Sequence, residues 1–171
     1  NVLSDIGVEK YEVTITDANG CTLVIDDVDI FEPPVLEVSI RPVNVISCYG
    51  ATTGSISAEA IGGRPFNNIK QYNYQWFNAD TGLPVGSDNF LLENIGSAKY
   101  YVVVSDAIGT TATSDTYLLT QPDILELTLN ADYTSCGDAN DWTITSEVIG
   151  GTPPFTFACS NGANSTLFTV V

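Results

Sequence analysis

Glu9-Lys10-Tyr11-Glu12-Val13-Thr14-Ile15-Thr16-Asp17-Ala18 returns as Ala98-Lys99-Tyr100-Tyr101-Val102-Val103-Val104-Ser105-Asp106-Ala107, so Tyr11 and Tyr100 stand 89 positions apart. Pro33 and Leu36-Glu37 return at the same spacing as Pro122 and Leu125-Glu126. Ser47-Cys48 returns as Ser135-Cys136, and Ile61-Gly62-Gly63 as Ile149-Gly150-Gly151, both 88 positions on. A fixed period is the mark of one structural unit copied in series. The spacing predicts units of about 89 residues: the last part of one over 1–32, a whole one over 33–122, and the first part of a third over 123–171. The chain is therefore expected to be a piece of a longer protein, and its lack of methionine agrees.

Within the quoted stretch Tyr11, Val13 and Ile15 alternate with Glu12, Thr14 and Thr16. Period two is the pattern of a half-buried strand. Asp17-Ala18-Asn19-Gly20 follows, and Asn-Gly predicts a hairpin turn, because both residues tolerate positive φ. A second strand over Thr22 to Phe31 runs to Pro33-Pro34, which cannot donate to a ladder and marks a junction. The whole unit predicts strands over Leu36–Ile40 with a continuation to Ile46, Ser55–Ile61, Asn73–Phe77, Phe90–Ile95, Tyr100–Asp106 and Thr113–Leu119. Gly62-Gly63 and Asp80-Thr81-Gly82 are turn signals between them. About seven short strands in about 90 residues, with no sustained helical spacing, predict an immunoglobulin-like β-sandwich. The fold expected is all-β: tandem sandwiches arranged end to end, touching only their neighbours. The core of the central unit is expected to hold Trp76, Val102, Val104, Ile56 and Leu92. In the third unit Cys159 falls where Trp76 stood, and Trp142, opposite Gly54, is the expected filler. Residues Phe66 to Lys70 are an insertion relative to the third unit.

The 5 basic residues against 21 acidic ones leave a formal charge of −16. That argues against nucleic acid and anionic membrane surfaces as partners, because both need a basic patch. No apolar run approaches the ~20 residues of a membrane span, so no membrane insertion is expected. Hydrophobic residues make up 44% of the chain, enough for packed cores.

The combination of Tyr11 to Thr22, Glu32 to Leu36, Ser47 to Ile56 and Gly150 to Phe157 resembles the SprB-type repeat of very large gliding-motility cell-surface adhesins of Bacteroidota. The resemblance spans nearly the whole chain, and its motifs are turn and core residues. It implies export by the type IX system, an extracellular location at the outer-membrane surface, and a stalk or filament role in adhesion and gliding. The chain departs from the pattern at Thr110, where a cysteine is missing, and at Cys159, which replaces a tryptophan.

Zero histidine removes Ser-His-Asp and Cys-His catalysis and the commonest zinc ligand. Glu59 and Glu147 recur at equivalent strand positions and read as one repeated surface site, not as a glycosidase pair. No enzyme and no cofactor are expected. Two functional classes remain. One is a structural spacer whose partners are the neighbouring repeats. The other is a glycan- or substratum-binding module using the 64–72 loop, where Phe66, Asn67, Asn68 and Tyr72 suit sugar stacking. Asp26, Asp27, Asp29 and Glu32, beside Pro33-Pro34, are calcium candidates for a stiffened junction. The competing reading is a solvated acidic surface.

In a serial sandwich the first strand ends at the exit end, which places Cys48 and Cys136 there. The last strand starts at the opposite end, which places Cys21 there. A disulfide needs Cα atoms within about 7 Å, whereas a strand of six residues spans about 20 Å. Cys21–Cys48 is thus excluded within the chain, and Cys48 is expected to meet the Asn-Gly-Cys turn of the following unit. Cys136–Cys159 is the one in-chain alternative.

Overall fold

The computed structural model describes residues 2–133 and 142–158; expectations for Cys136, Cys159 and the side chain of Trp142 lie outside them. The described residues are all-β, with strands and turns and no helix. In chain order the strands are β1 (Lys10–Thr16), β2 (Thr22–Asp29), β3 (Glu37–Asn44), β4 (Gly54–Ile61), β5 (Asn73–Asn78), β6 (Pro84–Val85), β7 (Leu91–Ile95), β8 (Ala98–Ser105), β9 (Thr111–Thr113), β10 (Tyr117–Leu119), β11 (Glu126–Tyr133) and β12 (Trp142–Ile149). Every ladder is antiparallel.

Residues 33–122 form two sheets. One has the order β3-β4-β7; the other has the order β10-β8-β5-β6, with β9 also on β8. Alternation in β4 and β8 sends Ile56 and Ala58 from one sheet, and Tyr100, Val102 and Val104 from the other, into a single core closed by Leu36, Leu92 and Leu119. Trp76, Ile56, Val102 and Val104 are its largest fully buried side chains. The Trp76 indole N–H donates to the Asn89 carbonyl at 2.9 Å, so its one polar atom is not left without a partner. Two layers over one core are consistent with a β-sandwich.

One local expectation needs correction, and two local features were not expected. The strand expected over Thr113–Leu119 is broken at Ser114. Its N–H donates to the Val102 carbonyl at 3.0 Å, and its hydroxyl accepts from the Val102 N–H at 3.1 Å. A side chain thus replaces one rung of the ladder, and the strand resumes as β10 after a bulge. The Asp17–Gly20 turn does not use positive φ at Asn19; only Gly20 does, at 84°. The Asp17 carboxylate organises the turn instead, accepting from the N–H groups of Asn19 and Cys21, both at 2.8 Å. The two-residue β6, against Trp76 and Phe77, was not expected.

The sequence period is matched by local geometry. Asp106 repeats the turn of Asp17, accepting from Ile108 at 3.0 Å and Thr110 at 2.8 Å, with Gly109 at φ 85°. The Tyr11 and Tyr100 hydroxyls donate to the carbonyls of Gly7 and Gly96, each four residues back and each at 3.0 Å. The register Ile15↔Leu23 recurs as Val104↔Ala112. Ser39↔Glu59 recurs as Thr128↔Glu147.

Candidate functional site

The β4–β5 loop and the β8–β9 turn meet at one end of the central unit, and glycine decides how. Gly62 and Gly63 both have positive φ, and a Cβ on Gly62 would lie 1.9 Å from the Val35 carbonyl oxygen. That approach lets the Gly63 N–H donate to the Pro34 carbonyl at 2.7 Å and turns the chain toward β8. There the buried Asp106 receives it: Oδ2 accepts from the Arg64 N–H at 2.9 Å, while Oδ1 holds its own turn. The Ala107 N–H donates back to the Arg64 carbonyl. Burial of the carboxylate opposes its charge, but the N–H groups of Arg64, Thr110 and Ile108 outweigh that cost and hold its pKa below the usual value.

From this anchor the 64–72 loop projects. The Phe66 N–H closes it on the Gln71 carbonyl at 2.8 Å. Phe66 is half-buried, Asn67 and Asn68 are exposed, and Ile69 is fully exposed. Tyr72, expected as a ligand contact, is buried in the core, and its hydroxyl donates to the Gly62 carbonyl at 2.9 Å. It supports the loop from beneath and presents nothing to a ligand.

Beside the loop lies a cleft of about 440 Å³ lined by Ile69, Lys70, Gln71, Tyr74, Asp88, Asn89 and Phe90. Lys70 pairs with Asp88, whose other oxygen accepts from the Tyr74 N–H at 2.6 Å. Burial works against the Asp88 charge, and Lys70 with the Tyr74 N–H overrides it, so its pKa is lowered. Burial, then Tyr72 and Asp88, push the Tyr74 phenol up. An exposed Phe90 ring beside a fixed carboxylate could stack on a sugar face and accept its hydroxyls. Sequence reading missed this cleft because Asp88 and Phe90 are distant from the loop in sequence.

The other expected positions are dispersed. Asp26, Asp27, Asp29 and Glu32 are all exposed, and the Lys10 ammonium already lies 3.2 Å from Asp27 and 3.6 Å from Asp29. Among the described residues no group of three or more His, Cys, Asp or Glu side chains could hold a metal ion. Glu59 is exposed on β4 and paired with Arg41 at 2.7 Å. Cys21 and Cys48 are free and exposed. Cys48 lines a second cleft, of about 450 Å³, with Tyr49, Asp123, Leu125, Thr152 and Phe155. That cleft stands where the 33–122 unit meets the residues that follow, and the Gln121 side chain bridges back to the Gly50 N–H at 2.9 Å.

Compared with known proteins, the chain matches no family model, no curated protein and no solved structure.

Proposed function

We propose that this chain is a run of immunoglobulin-like units, of the SprB type, from the stalk of a large adhesin on the outer surface of a gliding bacterium. Secretion by the type IX route follows from that reading. The observation that carries it is the coincidence of the 89-residue sequence period with the same turn, the same tyrosine hydrogen bond and the same strand register. The unit boundaries are placed at 1–32, 33–122 and 123–171. The sheet order β3-β4-β7 against β10-β8-β5-β6 supports an immunoglobulin-like unit with strands A, B and E facing G, F, C and C′. So does the Tyr100 hydroxyl, which bonds back to the chain at the start of the sixth strand as a tyrosine corner does. Neighbouring units are the partners in this reading, and no residue is given a catalytic role. Small-angle scattering of dilute protein tests it. A rod of serial units should give a radius of gyration well above the roughly 15–16 Å of one compact 171-residue globule. A value at that level would overturn it.

A second reading is favoured by the cleft at Lys70 and Asp88: the central unit also contacts a glycan. Binding on a glycan array that Phe90→Ala abolishes would support it, and an array without signal would remove it.

A further inference from the structure

In a chain with 21 acidic residues, β5, β8 and β9 contain no Asp or Glu, and Lys99 is their only charged residue. The matching strands β1 and β2 carry Glu12, Asp26, Asp27 and Asp29. Trp76, Val102 and Val104 turn into the core, so Gln75, Phe77, Tyr101 and Val103 stand on the outer face of the sheet. Phe77 and Tyr101, paired in the register, stack there with ring centroids 5.0 Å apart and 11° between the planes. The repeat does not require that pair: Glu12 matches Tyr101, and Ser160 matches Phe77. In the rows beside it lies a shallow hollow of about 340 Å³, where Val103 is surrounded by Asn73, Gln75, Ser105 and Thr111. The side chains of Asn73, Ser105 and Thr111 hydrogen-bond to no other described residue. Tyr74 and Asp88 line both this hollow and the 440 Å³ cleft at Phe90, so the two are continuous. The track runs from β9 over β8 and β5, across Asp88, to the 64–72 loop.

We propose that a linear, uncharged polysaccharide lies along this track, over the outer face of the sheet and across Asp88 into the cleft; the inference rests on the glycan reading of that cleft. A sugar ring presents apolar C–H groups on its face and hydroxyls around its rim. It needs an apolar patch bordered by neutral donors and acceptors. Val103 and the Phe77–Tyr101 pair supply the patch. The amides of Asn73 and Gln75 and the hydroxyls of Ser105 and Thr111 supply the border, and each can both donate and accept. Asp88, already oriented by Lys70 and the Tyr74 N–H, keeps further lone pairs for a hydroxyl where the two hollows join. The −16 charge of the chain repels uronates and sulfates, which leaves the uncharged class. Size argues against a protein in this place. One outward side chain covers about 32 Å² of a sheet, so the charge-free face amounts to roughly 300 Å². One side of a stable protein interface buries about 800 Å². Length argues for a chain of sugars. From β9 to β5 the face spans two strand spacings, about 10 Å, before the cleft begins, so a single sugar cannot fill both hollows.

Native electrophoresis of the chain through gels holding dissolved β-glucan, β-mannan, xylan or alginate tests the proposal. At least one of the three neutral polymers should retard the protein, and the anionic alginate should not. In titration calorimetry with oligosaccharides cut from the retarding polymer, six units should bind at least about tenfold more tightly than two. Two variants probe the sheet face: Thr111→Ala, at an exposed position, and Tyr101→Glu, which copies the first unit. Each should weaken the six-unit oligosaccharide about fivefold to tenfold. Each should leave two-unit binding, and strand content by circular dichroism, unchanged. Phe90→Ala should weaken both lengths. Six-unit binding that Phe90→Ala reduces but neither sheet variant alters would overturn the track and leave glycan contact at the cleft standing. Retardation by alginate as strong as by the neutral polymers would overturn the uncharged class. No retardation by any polymer would overturn both the track and the glycan reading.

Discussion

Gly62 and Gly82 share a positive φ, 78° and 71°, but not their surroundings. A Cβ at Gly62 meets the Val35 backbone, while at Gly82 nothing lies within 4 Å. Gly82→Ala should therefore cost only the left-handed backbone conformation, about 1–2 kcal/mol. Gly62→Ala adds a backbone clash and should cost at least about 3 kcal/mol in chemical denaturation; equal costs would show that the clash is relieved by movement. Asp106 gives a pH signature. Its pKa is lowered in the folded protein, so its contribution is present above the ordinary value of 3.8 and is lost as pH falls through the folded value. Melting temperature should drop on acidification through that window, and Asp106→Asn should flatten part of the drop. An unchanged acid slope in the variant would mean that other carboxylates, Asp88 first, carry it. Asn19 shows what a local rule misses. The Asn-Gly pair is a true turn signal, but the equivalent pair is Ile108-Gly109. A β-branched residue avoids positive φ, so the two copies together point to a turn built on the shared aspartate.

At the level of strands, Ser114 stands where a ladder changes sides. Ala112 and Ser114 face inward, as do Tyr117 and Leu119, so the parity of the alternation flips between them, and that flip is the sequence trace of the bulge. Asp26 and Asp27 occupy the matching break in β1–β2, where the register shifts between Tyr11 and Val13. Their clustering is thus explained by a bulge that turns both outward. Ser114→Ala leaves the buried Val102 N–H without its acceptor and should cost about 1–3 kcal/mol in denaturant titration. A neutral result would mean that the ladder closes over the gap. Apart from β6 and the break at Ser114, the strands and their chain order were legible because alternation and turns repeat in two copies. Tyr72 was misread as a ligand contact, although once Phe66 to Lys70 are set aside as an insertion it aligns with Phe155 of the third copy and so with a repeated apolar position. The cleft at Asp88 was illegible, because it depends on the segment around Asp88 and Asn89 being held against β5 by the Tyr74 N–H and the Trp76 indole, beside the 64–72 loop, which no local pattern encodes.

Across the whole molecule, the sequence period recurs in turn geometry and strand register, and the −16 charge keeps the outer surface solvated. The chain enters the central unit through β3 and leaves it through β10. These strands belong to different sheets, and no ladder joins them among the described residues. A pull on the two ends is therefore borne by interdigitated side chains rather than by a row of backbone hydrogen bonds strained together. The sheets should slide before either one is torn. In single-molecule stretching the central unit should yield in one step and release about 300 Å of chain, at about 3.3–3.6 Å for each residue. It should refold when tension is relaxed, since the core needs no bond to be remade. On the stalk reading proposed above, a filament of such units would act as a shock absorber, lengthening under a sudden tug and recovering afterwards.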